Sequence, residues 1–542
     1  MPGMFPALPN QMIFNEYQLN IGPTNVDAAV IIEGELPNIE ISGITVNDRL
    51  SLFYYIKSIL FPRGFGEDTD LLHYGNGNLL SHMKIKDINP YNTNPLYSSN
   101  PYKSLPDGFL LYRSCYPIKA IKNTVLVECS RNSLNVNMRI YELINSVFMA
   151  LKSSPHVNYN QFDQLREISY YEFIRESILK LHKSPNFILL YGYYITIDTI
   201  IEFDKIRVIK YGAPHLVPPL VPPIIAPIPM LNPQAYSGKN IVMLTEAPTY
   251  NIINWASIIY EVYGTIKHTV NTGYHEANVW FSILFQLMAG LYTLQKSQIC
   301  LNDMTLERNI FIKDLALHNN VIGFWKYIID GIEYYVPNYG YLLLIDSHFK
   351  NIDSSVPPLY HHTIQSSPLF RDTVSTHAIM YNEFKKLINM NNFSGVFISN
   401  GGCTLPGPVS NLIDAIHNSH ITSTYIDDYI SKYMTMFLHN RIGTYLKEYE
   451  INNIRRLEMK EFKRGEIVVY MENIDAYKFA LFLQNINGLC YILCSHPFTS
   501  DIIQINGIHV ELLSKYASNI SIEQDYKSNL INYSEIHATY KV

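Results

Sequence analysis

Apolar residues recur at helical spacing along several long stretches of this chain and at strand spacing along many shorter ones. Val46–Leu60 predicts an amphipathic helix with Asn47 or Asp48 near its start. Leu134–Leu151 carries apolar residues at helical spacing. Asp163–His182 predicts a longer helix, with Leu165, Ile168, Tyr171, Ile174, Ile178 and Leu181 along one side. In Glu276–Gln295 the residues Trp280, Phe281, Leu284, Phe285, Met288 and Leu291 repeat so regularly that the helix should be buried. Trp255 opens another helical stretch, and Met380–Leu387, Pro408–Asn418 and Tyr425–Tyr449 add further helices.

Strand patterns fall between them. Phe109–Tyr116, Thr124–Cys129, Ile188–Ile201, Ile241–Thr245 and Ile310–Ile312 are β-rich runs with polar connections. Phe324–Ile329 and Ile332–Val336 flank Asp330-Gly331, a hairpin turn signal. After Phe462 the short runs GEIVVY, YKFALFLQ, CYILCS and IQINGIHVELL predict a small β-barrel-like module. The fold class is α+β. The texture divides the chain into an irregular extension (1–105), a strand-rich segment (106–248), a helix-rich segment (249–455) and a β-rich module with a polar tail (456–542). Inside the second segment, the proline-rich stretch 213–234 should run extended.

Composition excludes several classes. A length of 542 residues suggests two to four domains, and 47% hydrophobic content is ample for large cores. The formal net charge of -6, with no basic stripe, gives no footprint for nucleic acid or an anionic membrane. The most apolar window, His215–Leu231, is interrupted by prolines and cannot span a bilayer as a helix. Its N-terminus, MPGMFPALPNQM, lacks the pattern of a secretory signal. The scattered cysteines form no zinc pattern; Cys490 and Cys494 read as core residues, and a reducing compartment is the default. The expected location is a host cytoplasm or a virion interior. Tyrosine at 42 against tryptophan at 3, with Ile and Asn frequent, is what an AT-rich genome writes and points toward a virus or protist.

The candidate chemistry centres on Ile299–Lys313, ICLNDMTLERNIFIK. A helix ends, a polar loop carries Asp303 and Asn309, and an apolar strand follows; Asp346 then ends the run YLLLIDS. An Asp, an Asn before a strand and a second Asp after the next strand is the residue set that phosphoryl transfer uses. The plainer alternative is a turn with capping Asp and Asn. Tyr74-Gly75-Asn76-Gly77-Asn78 similarly reads either as a phosphate loop or as an ordinary turn.

With the order of elements around it, this segment resembles the catalytic core of protein kinases, in the divergent form found in large nucleocytoplasmic DNA viruses. The resemblance covers about 108–449 and implies a bilobal fold with small lobe 106–248, large lobe 249–455, an N-terminal extension and the C-terminal module. The long helix would be the one kinases call αC, Ser184-Pro185-Asn186-Phe187 would stand for their HPN turn, and FWKYIIDGIEYYVPNYGYLLLIDS resembles the longer hairpin of the viral proteins. The implied cofactors are ATP and magnesium. Asp303 would be the catalytic base, Asn309 and Asp346 the metal ligands, Glu246 and Ala247 the adenine hinge, and Glu167 the helix glutamate, with Glu172 and Glu176 behind it.

Four departures stand against this pattern. Leu301-Asn302 replaces His-Arg, and the loop from Asp303 to Asn309 is one position longer than in kinases. Asp346-Ser347-His348 replaces Asp-Phe-Gly. In Val125-Leu126-Val127-Glu128 a glutamate falls where the phosphate-binding lysine is written, which leaves Lys119 or Lys122 as substitutes; no glycine-rich loop is visible. The function implied is a serine/threonine kinase acting on protein substrates. The competing reading is a pseudokinase that serves as a scaffold or virion interaction protein. A small-molecule phosphotransferase of the aminoglycoside-kinase type is a third class, but Leu301 stands where its usual histidine would be.

Overall fold

The structure is a computed structural model. It describes residues 43–60, 83–91, 100–153 apart from 125, 163–196, 203–211, 236–315 apart from 257–258, 263–264 and 270–274, 323–347, 373–393, 405–455 apart from 439–440 and 453, 461–516 apart from 500, and 536–542. The Gly75/Gly77 loop, the proline-rich insert and the stretch holding His348 and Phe349 lie outside the described residues.

The chain is α+β. Among the described residues the first element is α1 (Val46–Leu60), opened by a reciprocal cap in which Thr45 and Asp48 each accept the other's backbone N–H. Strands β1 (Lys84–Ile88), β2 (Phe109–Ala120) and β3 (Val127–Ile144) follow, then α2 (Asn145–Ser153), α3 (Asp163–Phe173, continued by a wider turn through Leu179), β4 (Leu190–Thr196), α4 (Phe203–Tyr211) and β5 (Tyr236–Glu246). The strands form one antiparallel sheet in the order β1-β2-β3-β5-β4. Its first strand comes from a stretch that reads as irregular in the sequence.

Strand β3 corrects the sequence reading most. A helix is expected over 134–151, yet the strand runs on to Ile144 before α2 starts. Leu134, Val136, Met138 and Ile140 alternate with Asn135, Asn137 and Arg139, which is strand periodicity. Both faces are covered, so the strand is long and central. A disulfide joins Cys115 of β2 to Cys129 of β3, where the sequence suggested scattered reduced cysteines.

Beyond β5 come β6 (Tyr250–Asn251), α5 (Ile252–Ala256), the hairpin β7 (Ile259–Val262) and β8 (Thr265–Thr269), and then α6 (Ala277–Lys296). Among the described residues α6 alone is long and apolar enough to cross a membrane, and most of it is buried inside the protein. Gly290 brings it against the strand before Asp346, because a Cβ there would meet Ile345 Cδ1 at 2.6 Å. Next are α7 (Leu306–Asn309), β9 (Ile310–Asp314), β10 (Phe324–Ile329), β11 (Ile332–Pro337) and β12 (Tyr341–Ile345). The β10–β11 turn is Asp330-Gly331, both at positive φ, as the sequence predicts. Among the described residues, helices α8 (Thr373–Leu387), α9 (Gly407–His417), α10 (Ile426–Tyr433) and α11 (Glu448–Ile451) follow. Tyr425–Tyr449 is thus broken into short pieces and not one helix.

The C-terminal strands β13 (Ile454–Arg455), β14 (Ile467–Asn473), β15 (Ala476–Ile486), β16 (Leu489–Ser495), β17 (Ile502–His509) and β18 (Leu513–Tyr516) make a six-stranded sheet, β13-β18-β14-β15-β16-β17. Among the described residues its end strands do not pair with each other, so it is an open sheet where a barrel was expected. Cys490 and Cys494 are buried in its apolar core. β19 (Ile536–Lys541) returns to lie parallel to β10.

Two polar anchors join the first sheet to the rest. Asn186 of the SPNF turn donates to Gln286 of α6 and to the Leu343 carbonyl of β12, and it accepts from Tyr327 of β10. Behind β5, Arg49 of α1 holds Glu246 with its Nε at 3.1 Å and its Nη2 at 2.6 Å, and donates to the Pro185 carbonyl at 2.6 Å. Lys313 of β9 binds the same carboxylate. Burial alone would raise the Glu246 carboxyl, but Arg49 and Lys313 outweigh it and hold the group down to about 2.

The depressed carboxyl contributes stability above the ordinary carboxylate range that is lost as pH falls from about 4.5 toward about 2, on the order of 3 kcal/mol in all. Arg49→Met should destabilise the fold by about 3–5 kcal/mol in urea denaturation, because it leaves a buried carboxylate short of its main partner. A loss under about 1 kcal/mol would show that Lys313 or solvent suffices.

Candidate functional site

Three elements meet over the start of the 346–347 segment. One side of β3 presents Asn137, Arg139 and Tyr141 at alternate positions. Helix α3 presents Glu167 and Tyr171, one turn apart on one face. Asp346 follows β12, fixed by its backbone N–H to the Asn309 carbonyl at 2.9 Å.

Arg139, 3% exposed, is the hub. Its Nη2 pairs with Asp346, its Nη1 lies 3.6 Å from Glu167, and its Nε donates to Thr245 at 3.4 Å. Tyr171 donates its hydroxyl to the other Asp346 oxygen, and its ring centroid lies 5.3 Å from the guanidinium. Glu167 accepts from Tyr141 at 2.5 Å and from Ser347 at 2.7 Å. Every carboxylate oxygen in the cluster therefore has a donor. Burial pushes both Asp346 and Glu167 above the usual carboxylate range, Arg139 opposes it, and the two carboxylates hold the guanidinium firmly protonated.

The loop is arranged differently from an exposed reactive turn. Glu383 of α8 accepts the backbone N–H groups of Asp303 and Met304 at 2.9 and 2.8 Å. This pins the main chain with Asp303 at φ 53°, and its side chain, 82% exposed, lies 3.9 Å from Lys386. Thr305 caps α7, and the Asn309 amide is used twice, accepting from Thr305 N–H at 2.9 Å and donating to the Asp346 carbonyl at 3.0 Å. Asn309 and Asp346 are thus brought together, whereas Asp303 stands at the surface.

At the β5 exit, the Glu246 side chain points back toward α1. Its N–H donates to the Leu189 carbonyl at 2.8 Å, the Ala247 N–H donates to Asn135 at 3.3 Å, and Pro248 has no N–H. Glu172 accepts from Tyr193 at 2.8 Å, and Glu176 pairs with Arg175 and Lys180 away from the cluster.

Lys119 and Lys122, the cations offered by the sequence, have no described contact with the Arg139 cluster. Lys119 pairs with Glu128 at 2.9 Å near the outer end of the β2–β3 hairpin, and Lys122 is exposed in its turn. Glu128 is the second residue of β3, and the cation facing Glu167, Arg139, is eleven positions further on. The run Val136-Asn137-Met138-Arg139 carried that signal, hidden while the stretch read as a helix.

The donors a magnesium ion would take do not fit one as they stand. Both Asp346 oxygens and both ends of the Asn309 amide are engaged within the chain. Among the described residues no group of three or more His, Cys, Asp or Glu is placed to hold a metal.

No protein-family model matches the chain. Uncharacterized protein R403 of Acanthamoeba polyphaga mimivirus is similar to it, at 30% identity over 556 residues that take in 94% of this chain and 73% of the mimivirus protein. That similarity points to a giant-virus origin.

Arg139→Met should destabilise the protein by about 3–5 kcal/mol, since it strands two buried carboxylates. Adding Glu167→Gln and Asp346→Asn should recover most of that loss in urea denaturation. Additive losses across the three changes would show that the groups are not coupled.

Proposed function

We propose that this chain, which belongs to the same giant-virus family as the mimivirus protein, is a kinase-like scaffold whose catalytic cleft is held shut by its own side chains. Support for the bilobal reading comes from the order of elements. The antiparallel sheet β1-β2-β3-β5-β4 has α3 between β3 and β4, a connecting segment leaves β5, and α6 feeds the Asp303 loop ahead of β9 and β12. In this reading the small lobe takes in β1 as well as 106–248, and residues 249–455 are the large lobe.

The observation that carries the proposal is the direct pairing of Arg139 with Asp346. A kinase needs that carboxylate free for magnesium and that cation free for phosphate. Here each neutralises the other in a buried setting, and Tyr171 occupies the remaining Asp346 oxygen. A divalent ion would have to displace a guanidinium and then sit beside it, which Coulomb repulsion at low dielectric opposes. The exposed Asp303, turned toward Lys386, is likewise unconnected to the cluster by any described contact.

As a scaffold the protein would act through viral protein partners, in the host cytoplasm or inside the virion. The Cys115–Cys129 disulfide favours the packaged form over a life in a reducing cytoplasm. The active-kinase reading keeps one point in its favour, the contact between Asn309 and Asp346, and it requires Arg139 to swing away.

A thermal-shift titration with ATP, with and without magnesium, decides between them. The scaffold reading expects no magnesium-dependent rise in melting temperature at millimolar ATP. A rise that needs magnesium and is abolished by Asp346→Asn contradicts it and restores the enzyme.

A further inference from the structure

Tyr91, three residues after β1 and 8% exposed, lies between Asn137 of β3 and Phe311 of β9. Its ring meets Phe311 edge-on, with centroids 4.9 Å apart. Its hydroxyl donates to the Pro248 carbonyl at 2.9 Å and accepts from the Asn137 side-chain amide at 3.0 Å. Arg113 of β2 stands 5.0 Å from the ring centroid and also donates to the Pro248 carbonyl at 3.0 Å. The Tyr91 carbonyl is fixed in turn by Asn251 at 3.1 Å.

We propose that Tyr91 is an internal plug. It fills a flat recess beside the β5 exit and engages the Pro248 carbonyl and the Asn137 side-chain amide. The claim rests on the kinase-like reading for what the recess once held, but its chemistry is local. The phenol gives one hydrogen bond to Pro248 and takes one from Asn137, across a ring that packs on Phe311. A planar heterocycle with an exocyclic amine beside a ring nitrogen, such as an aminopurine, has the same complement. While Tyr91 is seated, that complement is used up, and the Glu246 and Ala247 N–H groups are already bound elsewhere.

The plug is a device separate from the Arg139 cluster. The cluster closes the place where metal and phosphates would go, and Tyr91 closes the place where a base would go. Removing the ring should therefore admit a nucleoside that has no phosphate at all.

The test uses the full chain with adenosine as probe, by isothermal titration calorimetry in the absence of magnesium. Tyr91→Ala should bind adenosine at least about tenfold more tightly than the wild type. Tyr91→Phe keeps the ring and loses both hydrogen bonds; it should fall between the two, and it decides the matter if Tyr91→Ala does not fold. Binding no tighter in folded Tyr91→Ala than in wild type overturns the plug, as does wild-type affinity in Tyr91→Phe when only that variant folds. Since adenosine needs neither metal nor Asp346, the plug can fail while the wild type still ignores magnesium-ATP. A magnesium-ATP response abolished by Asp346→Asn instead sinks the closed-cleft reading itself.

Discussion

A guanidinium buried between two carboxylates is the constraint on which the middle of this protein depends. Arg139 comes from the sheet, Glu167 from α3 and Asp346 from the end of β12, so one cation ties three elements that are far apart in sequence. Taking these charges out of water is costly unless each finds partners, and Tyr141, Tyr171, Ser347 and Thr245 supply them. A fully satisfied network of this kind favours one arrangement of its elements over looser ones. Arg49 repeats the device behind the sheet, where it draws Glu246 toward α1. The two arginines lie on either side of β5 and together set how the sheet sits against β9 and β12.

Chemistry and architecture part company at this point. The loop keeps an Asp, an Asn and a downstream Asp in the order that phosphoryl transfer uses, yet each has been given structural work. Asn309 ties α7 to the segment after β12, and Asp346 neutralises an arginine. Asp303 helps to shape a turn whose backbone is held by Glu383. Residue identity at matching positions therefore says less about activity than the partners those residues have acquired.

Much of the architecture was legible because its elements obey a single period. Helix α6 shows in the spacing of Trp280, Leu284, Phe285 and Leu291, all buried, and the β10–β11 hairpin shows in Asp330-Gly331 between two apolar runs. Glu167 could be singled out because Ile168, Tyr171 and Ile174 fix the inward face of its helix, and all three are buried. β3 was misread where two periods overlap. Ile140, Leu143, Ile144 and Val147 mimic a helical stripe, while the Leu134–Ile140 alternation belongs to a strand that is buried on both sides. With that stretch read as a helix, Arg139 does not stand out as the cation that faces Glu167. The Cys115–Cys129 pairing was hidden for a related reason: it depends on the register of a hairpin, which no local pattern displays. Tyr91 carried no signal at all, since its role comes entirely from Asn137, Pro248 and Phe311 in distant parts of the chain.

The most direct measurement of the central claim is a manganese titration read by electron paramagnetic resonance, with and without ATP, on the wild type and on Arg139→Lys. If Arg139 and Asp346 satisfy one another, free manganese should stay at the level of a matched protein-free control in every wild-type sample. Manganese captured by the wild type in the presence of ATP, at one site per chain, would show that Asp346 is available to metal and that the closed cluster is not the working state of this protein.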